Sequence, residues 1–255
     1  MNPSIYICGT GNVASALIDA FQSCEIKVSG IYSQSITGTY KNIQVFNYQN
    51  RPVAGSIVII AVPDDYIGET EKNFLNASVI AIHCSGSMPM DILQNKTKGV
   101  FYPLQTWTRG TESDWKNVPI FIESSDAMVF KYLEELCQIF GAISYRADSV
   151  QRLALHIAAV FANNFSNAVF DMAFQLANRS GFDPKILMPL IEKTVQKLEI
   201  KTPFESQTGP AKRNDRGVMK KHLSELAKTS KDAKLVEIYQ LLSSWILQQH
   251  NDLEK

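Results

Sequence analysis

Ser4-Ile-Tyr-Ile-Cys-Gly9-Thr-Gly11-Asn-Val-Ala14 is the stretch whose reading decides the fold. A short apolar run leads into Gly9-Thr10-Gly11-Asn12-Val13-Ala14, after which Ala16, Leu17, Ala20 and Phe21 follow at helical spacing. A strand, a glycine turn and an amphipathic helix, in that order, form the context in which a GxGxxA turn binds a dinucleotide. Gly9 permits the tight turn, Gly11 lets backbone approach a pyrophosphate, and Ala14 keeps the helix close to the strand. The helix N-terminus then faces the phosphates with unpaired N–H groups. Gly9, Thr10, Gly11, Asn12 and Val13 are the expected phosphate-side residues. The bland alternatives are a glycine turn without a ligand, or one serving another nucleotide-like ligand.

The next strand, Ile26–Tyr32, ends at Ser33-Gln34-Ser35. NAD-binding folds usually carry an acid there to bond the ribose 2′-OH. No acidic residue lies between Glu25 and Asp64, so a 2′-phosphate would meet no repulsion and NADP is expected over NAD. Ser56–Ala61 is a continuous β-branched run, as in a strand buried on both faces. Val62-Pro63-Asp64-Asp65 ends it and starts a helix near Tyr66. Ligands of open parallel sheets bind beyond the strands' carboxyl ends, which puts Ala61, Val62 and Pro63 on the cofactor's path. Ser78–His83 runs into Cys84-Ser85-Gly86-Ser87, and Val100–Pro103 into Leu104-Gln105-Thr106. His83 and Ser85 are expected near the nicotinamide and Gln105 near the substrate. Two further strands, Pro119–Glu123 and Ala142–Tyr145, flank a helix of roughly 126–140. The expected architecture is a doubly wound, mainly parallel α/β domain over 1–147, followed by an all-α domain over 148–255.

The helical half opens with a long helix, about Ser149–Ser180, on which His156, Asn163 and Asn167 form one stripe among Leu153, Leu155, Ile157, Val160, Phe161 and Phe165. Polar groups buried in such a helix need partners, and the adjacent amides Asn163 and Asn164 would be costly to bury without a purpose. A satisfied core histidine is the alternative for His156. Gly181 ends this helix, and Asp183-Pro184 opens another reaching about Glu199. The fifteen residues Thr202–Arg216 read as a structureless loop, which inside a compact domain is usually functional. Two last helices, near Asp215–Lys228 and Lys231–Gln249, present Leu223, Leu226, Leu235, Ile238, Leu241, Leu242, Trp245 and Ile246 at apolar spacing. Such faces pack on the domain or on a second subunit, and a homodimer through the helical domain is expected.

The 255 residues are 45% hydrophobic and 20% charged, a globular composition. Lys+Arg and Asp+Glu are 25 each, so net charge argues for neither nucleic acid nor membrane as a partner. The stretch Lys212–Lys234 is locally basic, with eight Lys/Arg against three Asp/Glu. It could draw an anionic substrate or be a solvated face. Cys8, Cys24, Cys84 and Cys137 lack CxxC spacing, which disfavours zinc or a disulfide framework and suits a reducing compartment. No signal peptide is read before the first strand, and no apolar run is read as reaching transmembrane length, so a cytoplasmic protein without a metal is expected.

On Gly9-Thr-Gly-Asn-Val-Ala14, Tyr32-Ser-Gln-Ser35, Ala61-Val-Pro-Asp64, His83-Cys-Ser-Gly-Ser87, Tyr102-Pro-Leu-Gln-Thr106, Asn163-Asn164 and Thr208-Gly-Pro-Ala-Lys-Arg-Asn-Asp215, the chain resembles Rossmann-like proteins carrying a DUF2520 domain. They fall within the wider 6-phosphogluconate dehydrogenase-like superfamily, with pyrroline-5-carboxylate reductase and F420-dependent NADP oxidoreductases. The resemblance covers nearly the whole chain, and the Thr208–Asp215 loop is its most specific part. It implies an NADP-binding N-terminal domain, a helical C-terminal domain and an oxidoreductase activity without an assigned substrate. Gln34 stands where the family often has arginine, and Tyr102 where histidine is expected before Pro103-Leu104. Ala159 and Val160 stand where β-hydroxyacid dehydrogenases carry their lysine acid, so that mechanism does not transfer. The Ser/Gly-rich helix motif of pyrroline-5-carboxylate reductase is absent too.

The expected function is hydride transfer between NADP and a small C=O or C=N compound bearing a carboxylate. Hydride reaching a carbonyl carbon leaves charge on oxygen that a general acid must meet. His156 is the expected acid, Asn163 or Asn164 would orient the substrate, and Arg213 would clamp its carboxylate. The competing readings are a non-catalytic dinucleotide-binding sensor with a helical dimerisation domain, and a methyltransferase using S-adenosylmethionine. The missing acid after the second strand counts against the latter.

Overall fold

The computed structural model describes residues 3–75, 77–111, 113–229 and 233–251. Among them one sheet carries the strands β1 (Ile5–Cys8), β2 (Val28–Tyr32), β3 (Thr39–Tyr40), β4 (Ile43–Phe46), β5 (Ile57–Ile60), β6 (Ile80–His83), β7 (Lys98–Pro103), β8 (Pro119–Ser124) and β9 (Ile143–Arg146). Their order is β3-β4-β2-β1-β5-β6-β7-β8-β9. From β4 to β7 all neighbours are parallel, β8 runs antiparallel to β7, and β9 is parallel to β8. The expected mainly parallel, doubly wound α/β architecture is what the chain adopts. From β1 the chain moves outward to β2 and β4, then returns to β5 and continues the other way. The reversal between β1 and β5 is the switch point at which such sheets open a crevice.

The hairpin β3–β4 was not expected. Its turn residues Lys41 and Asn42 both have positive φ, 51° and 62°, as a two-residue hairpin turn of the primed type requires. Ile43-Gln-Val-Phe46 alternates buried and open positions over only four residues, too short a pattern to mark a strand in sequence.

On one face of the sheet, α1 (Asn12–Ser23) and α3 (Ala127–Phe140) bury Leu17, Phe21, Leu133 and Phe140 against Ile7, Ile59 and Phe101. Asp126 caps α3 by accepting from the Met128 and Val129 amides, and Gly141 ends it at φ 72°. The other face is covered by α2 (Ile67–Lys72) and by Phe74, which packs edge-on against Tyr32. Fully buried Ile57–Ile60 confirms the reading of that run as a two-faced core strand.

Contacts divide the chain into Met1–Asn163 and Asn164–Lys255. The long helix is present as α4 (Ser149–Ala159), a π-helical turn over Val160–Phe165, and α5 (Ser166–Arg179). Two expectations change here. The π turn, with its wider hydrogen-bond spacing, breaks the single stripe on which His156, Asn163 and Asn167 were placed. Asn163 and Asn164 are exposed in the chain, so the argument from buried amides does not hold. The expectation that no run reaches membrane-spanning length is also corrected. Ser149–Arg179 forms one helical run of 31 residues, and an 18-residue window within it has a mean hydropathy of 1.3 with none of it buried. Polar Arg152, His156, Asn163 and Asn164 interrupt the apolar pattern of that run in sequence.

Within the second unit, α5 packs on a 3-10 turn at Pro184–Leu187, which α6 (Met188–Lys197) follows, and α8 (Arg216–Thr229) packs on α9 (Ala233–Asn251). The expected start of the last helix at Lys231 lies outside the described residues. Thr202–Arg216 is not structureless: Pro203–Ser206 forms a short helix, α7, opened by a reciprocal capping box between Thr202 and Glu205. The Asp215 carboxylate accepts from the Val218 amide at the start of α8. Among the described residues of this unit only Ala211 is buried.

Candidate active site

At the carboxyl end of β1 the Gly9 amide donates to Tyr32 O, and the Ala61 amide donates to Cys8 O, both at 2.9 Å. The turn is therefore locked between the ends of β2 and β5. Gly9 has φ 105°, and a Cβ there would lie 2.4 Å from Ala61 O, so only glycine fits. Gly11, which precedes α1, is different: a Cβ there meets nothing within 4 Å. It faces open space. No side chain caps the first amides of α1, and no acidic residue stands in its first turn. The N–H groups at Asn12 and Val13 are thus available to an anion.

That open space is a cavity of about 730 Å³ at the switch point. Gly9, Thr10, Gly11, Ser33, Gln34, Ser35, Ala61, Val62 and Pro63, the residues expected at the cofactor, line it. Asn12, Val13, His83 and Ser85 are not part of its lining. From α2 and the turn before it come Tyr66, Glu69, Thr70 and Asn73, which the sequence reading missed. Their spacing of three, four and seven residues marks one helix face and could have revealed them. Lys72 and Tyr48 complete this side. The end of β2 carries no carboxylate. Its Ser33 and Ser35 hydroxyls lie 3.2 Å apart. A glycine cradle at a helix start, a hydroxyl-rich corner and tyrosines beyond it fit a dinucleotide's diphosphate, ribose and adenine.

A second cluster lies beyond the ends of β6 and β7. The Tyr102 hydroxyl and His156 Nδ1 are 3.1 Å apart. Both rings lie over Gly86, where a Cβ would fall 2.5 Å from Tyr102 Cζ and 2.8 Å from His156 Nδ1. The Gly86 segment is held from both sides. Ser87 Oγ donates to Asp64 Oδ2, which ties it to the residue after cavity-lining Pro63. Arg152 Nε donates to Ser85 O at 3.2 Å, its Nη2 to Met88 O at 2.6 Å, and its Nη1 to Glu123. Arg152 is fully buried, so the Glu123 charge beside it is what makes that position tolerable. In sequence this arginine was one polar residue in an apolar helix, and its partner is 29 residues away.

His83 is fully buried at the end of β6, its Nδ1 accepting from the Ser85 amide at 3.1 Å. Burial, reinforced by the Arg152 guanidinium, pushes its pKa down from 6.5 to about 4, so it is neutral at pH 7. It supports the loop from beneath. Burial raises the Tyr102 pKa; Asp64 acts in the same direction and Arg152 against it. The phenol therefore holds its proton at neutral pH. Gln105 is exposed, its Oε1 accepting from the Thr106 amide. Arg213 is exposed within the second unit. Among the described residues no group of three or more His, Cys, Asp or Glu could hold a metal.

The model of the domain of unknown function DUF2520 matches residues 118–246. The chain belongs to that family. Among solved structures, this family member is similar to the "putative NADP oxidoreductase BF3122" of Bacteroides fragilis, at 28% identity and a TM-score of 0.86, over 97% of this chain and 99% of that one. Protein TM1727 of Thermotoga maritima is similar at 20% identity and a TM-score of 0.72, over 98% and 100% of the two chains. Pyrroline carboxylate reductase of Plasmodium falciparum, solved with NADP bound, is similar at 12% identity and a TM-score of 0.59, over 98% of each chain. At the last two identities the likeness shows the fold alone. None of the curated proteins matches the chain in sequence.

Proposed function

We propose that the chain is an NADP-dependent oxidoreductase that moves a hydride between the nicotinamide and a small carbonyl or imine compound. The observation that carries this reading is the cavity at the β1–β5 switch point, with Gly11 open to it and no carboxylate at the end of β2. The Bacteroides fragilis relative's description supports it. A bound NADPH supplies the hydride.

The chain's own residues supply the proton. Charge developing on the substrate's oxygen or nitrogen needs a donor, and the hydrogen-bonded His156 and Tyr102 pair offers one at the same edge of the sheet. His156 is the acid in this reading, and Tyr102 holds its ring. Asn163, exposed on the π turn, is our candidate for orienting the substrate, since π turns recur at functional sites. A carboxylate on the substrate is proposed from Arg213 in its basic stretch, and comparing acids with their esters as substrates tests it.

The active form is proposed to be a homodimer through the helical domain. The second unit leaves Leu190 67%, Ile200 84% and Trp245 63% exposed, apolar side chains that a second copy would cover. Light scattering should give two copies per particle.

A thermal-shift comparison of NADPH, NADH and S-adenosylmethionine tests the leading reading. A ligand that binds only the native state adds about 2.7 kcal/mol at 100 times its dissociation constant. NADPH should give the largest shift. No shift with either nicotinamide overturns the proposal, and a shift without turnover across a carbonyl and imine panel favours a sensor.

A further inference from the structure

We infer that Arg109 is a phosphate clamp of the dinucleotide cradle, held against the glycine turn by the connection between β7 and β8. This rests on the dinucleotide reading above and names the cation that reading lacks. The cavity's lining contains one basic residue among the described residues, Lys72, which stands on α2 near Glu69 and not at the glycine turn. A diphosphate brings two negative charges to that turn. The α1 amides alone would have to meet them.

Leu104–Val118 forms no helix or strand among its described residues, and a connection of this kind is usually functional. It is nevertheless anchored. Trp115 is 4% exposed, and its Nε1 donates to Ala16 O of α1 at 3.2 Å. Trp107 stacks on Trp115 with ring centroids 4.6 Å apart. Between them the chain makes a tight turn, Thr108-Arg109-Gly110-Thr111, in which the Thr111 amide donates to Thr108 O at 3.2 Å and Gly110 has φ 85°. A positive φ at the third position is the type II pattern and calls for glycine. Arg109 is thereby presented at the second position, and its Nη2 donates to Thr10 O, in the middle of Gly9-Thr10-Gly11.

A guanidinium has five N–H donors in a planar fork, and one carbonyl engages only one of them. No described carboxylate forms an ion pair with Arg109. Its charge is kept at the turn, and the remaining donors match the paired oxygens of a phosphate. The residue is exposed, so it contributes little to the core and can be altered without removing packing.

The test is binding of NADPH and NADH, read by calorimetry, to the wild-type chain and to Arg109→Ala, Arg109→Lys and Arg109→Gln, with thermal unfolding of each variant measured alongside. Arg109→Ala should raise both dissociation constants by the same factor, tenfold or more at roughly the size of one charge-assisted hydrogen bond, and leave the NADPH to NADH ratio unchanged. Arg109→Lys should recover most of the affinity. Arg109→Gln, which keeps an amide donor but carries no charge, should behave like Arg109→Ala. Wild-type affinity in Arg109→Ala overturns the inference. So does full affinity in Arg109→Gln, which would make the residue a staple of the turn, or a loss confined to NADPH. If the wild-type chain binds neither nicotinamide, the dinucleotide reading falls and the clamp with it; binding that survives Arg109→Ala removes the clamp alone.

Discussion

Gly86→Ala should force the Tyr102–His156 pair apart. Gly86 has an ordinary backbone conformation, so the substitution adds no dihedral strain, and its whole effect comes from the methyl group. That methyl would lie 2.5 Å from Tyr102 Cζ, 2.9 Å from Cε1 and 2.8 Å from His156 Nδ1, well inside the 3.5–4.0 Å or so of an ordinary contact. Tyr102 has little room to retreat, being 9% exposed and packed with Val100, Phe121 and Ala147. The peptide cannot drop away either, because Arg152 holds Ser85 O and Met88 O on each side of it. Overpacking of this kind costs about 1–3 kcal/mol, and losing the ring-to-ring hydrogen bond adds about 1 kcal/mol. The alanine offsets roughly 0.4–1 kcal/mol by stiffening the unfolded chain, leaving a net loss of about 1–3 kcal/mol by the same overpacking range. Urea unfolding of Gly86→Ala, Tyr102→Ala and the double variant reads it, with the His156 ring followed by NMR. Without the Tyr102 ring most of the clash is gone, so the cost of Gly86→Ala should shrink in that background. Additive costs, or an unchanged His156 signal in Gly86→Ala, would refute the placement of the pair over this glycine.

His83 makes the fold sensitive to acid. Its folded-state pKa of about 4 lies below the ordinary 6.5, so between those values the native state binds fewer protons than the unfolded chain. Stability is complete above about pH 6.5 and falls as pH drops toward 4, by about 3 kcal/mol for a shift of this size. Urea midpoints at pH 7 and pH 4 should differ less in His83→Asn than in the wild type; equal pH dependence would exclude the histidine as the source. The two glycines of the turn should behave in opposite ways. Gly9→Ala meets Ala61 O and a left-handed φ and should lower thermal stability and NADPH binding together. Gly11→Ala meets no protein atom and should leave the melting temperature in place while weakening NADPH; unchanged NADPH affinity would place Gly11 outside the cradle.

Much of this molecule was legible in one dimension. Gly9–Ala14, the buried run Ile57–Ile60 and the helix over Ala127–Phe140 emerged where their patterns put them, because strand and helix periodicities are local properties of the chain. The cavity's glycine, serine and Ala61–Pro63 corners followed from knowing which strand ends share an edge. The short hairpin at Ile43, the capped turn at Thr202 and the exposure of Asn163 and Asn164 did not. Four residues carry too little pattern, the Thr202 and Glu205 capping pair stands inside a polar, Pro/Gly-rich stretch, and burial depends on what covers a helix. Sequence alone determined that this chain would build a parallel sheet with an anion-ready turn at its centre. Only the tertiary structure decided which side chains stand around it. Tyr102 meets His156 across 54 residues and Arg109 meets Thr10 across 99. Such meetings depend on strand order and on the path of the β7–β8 connection, which no local spacing encodes.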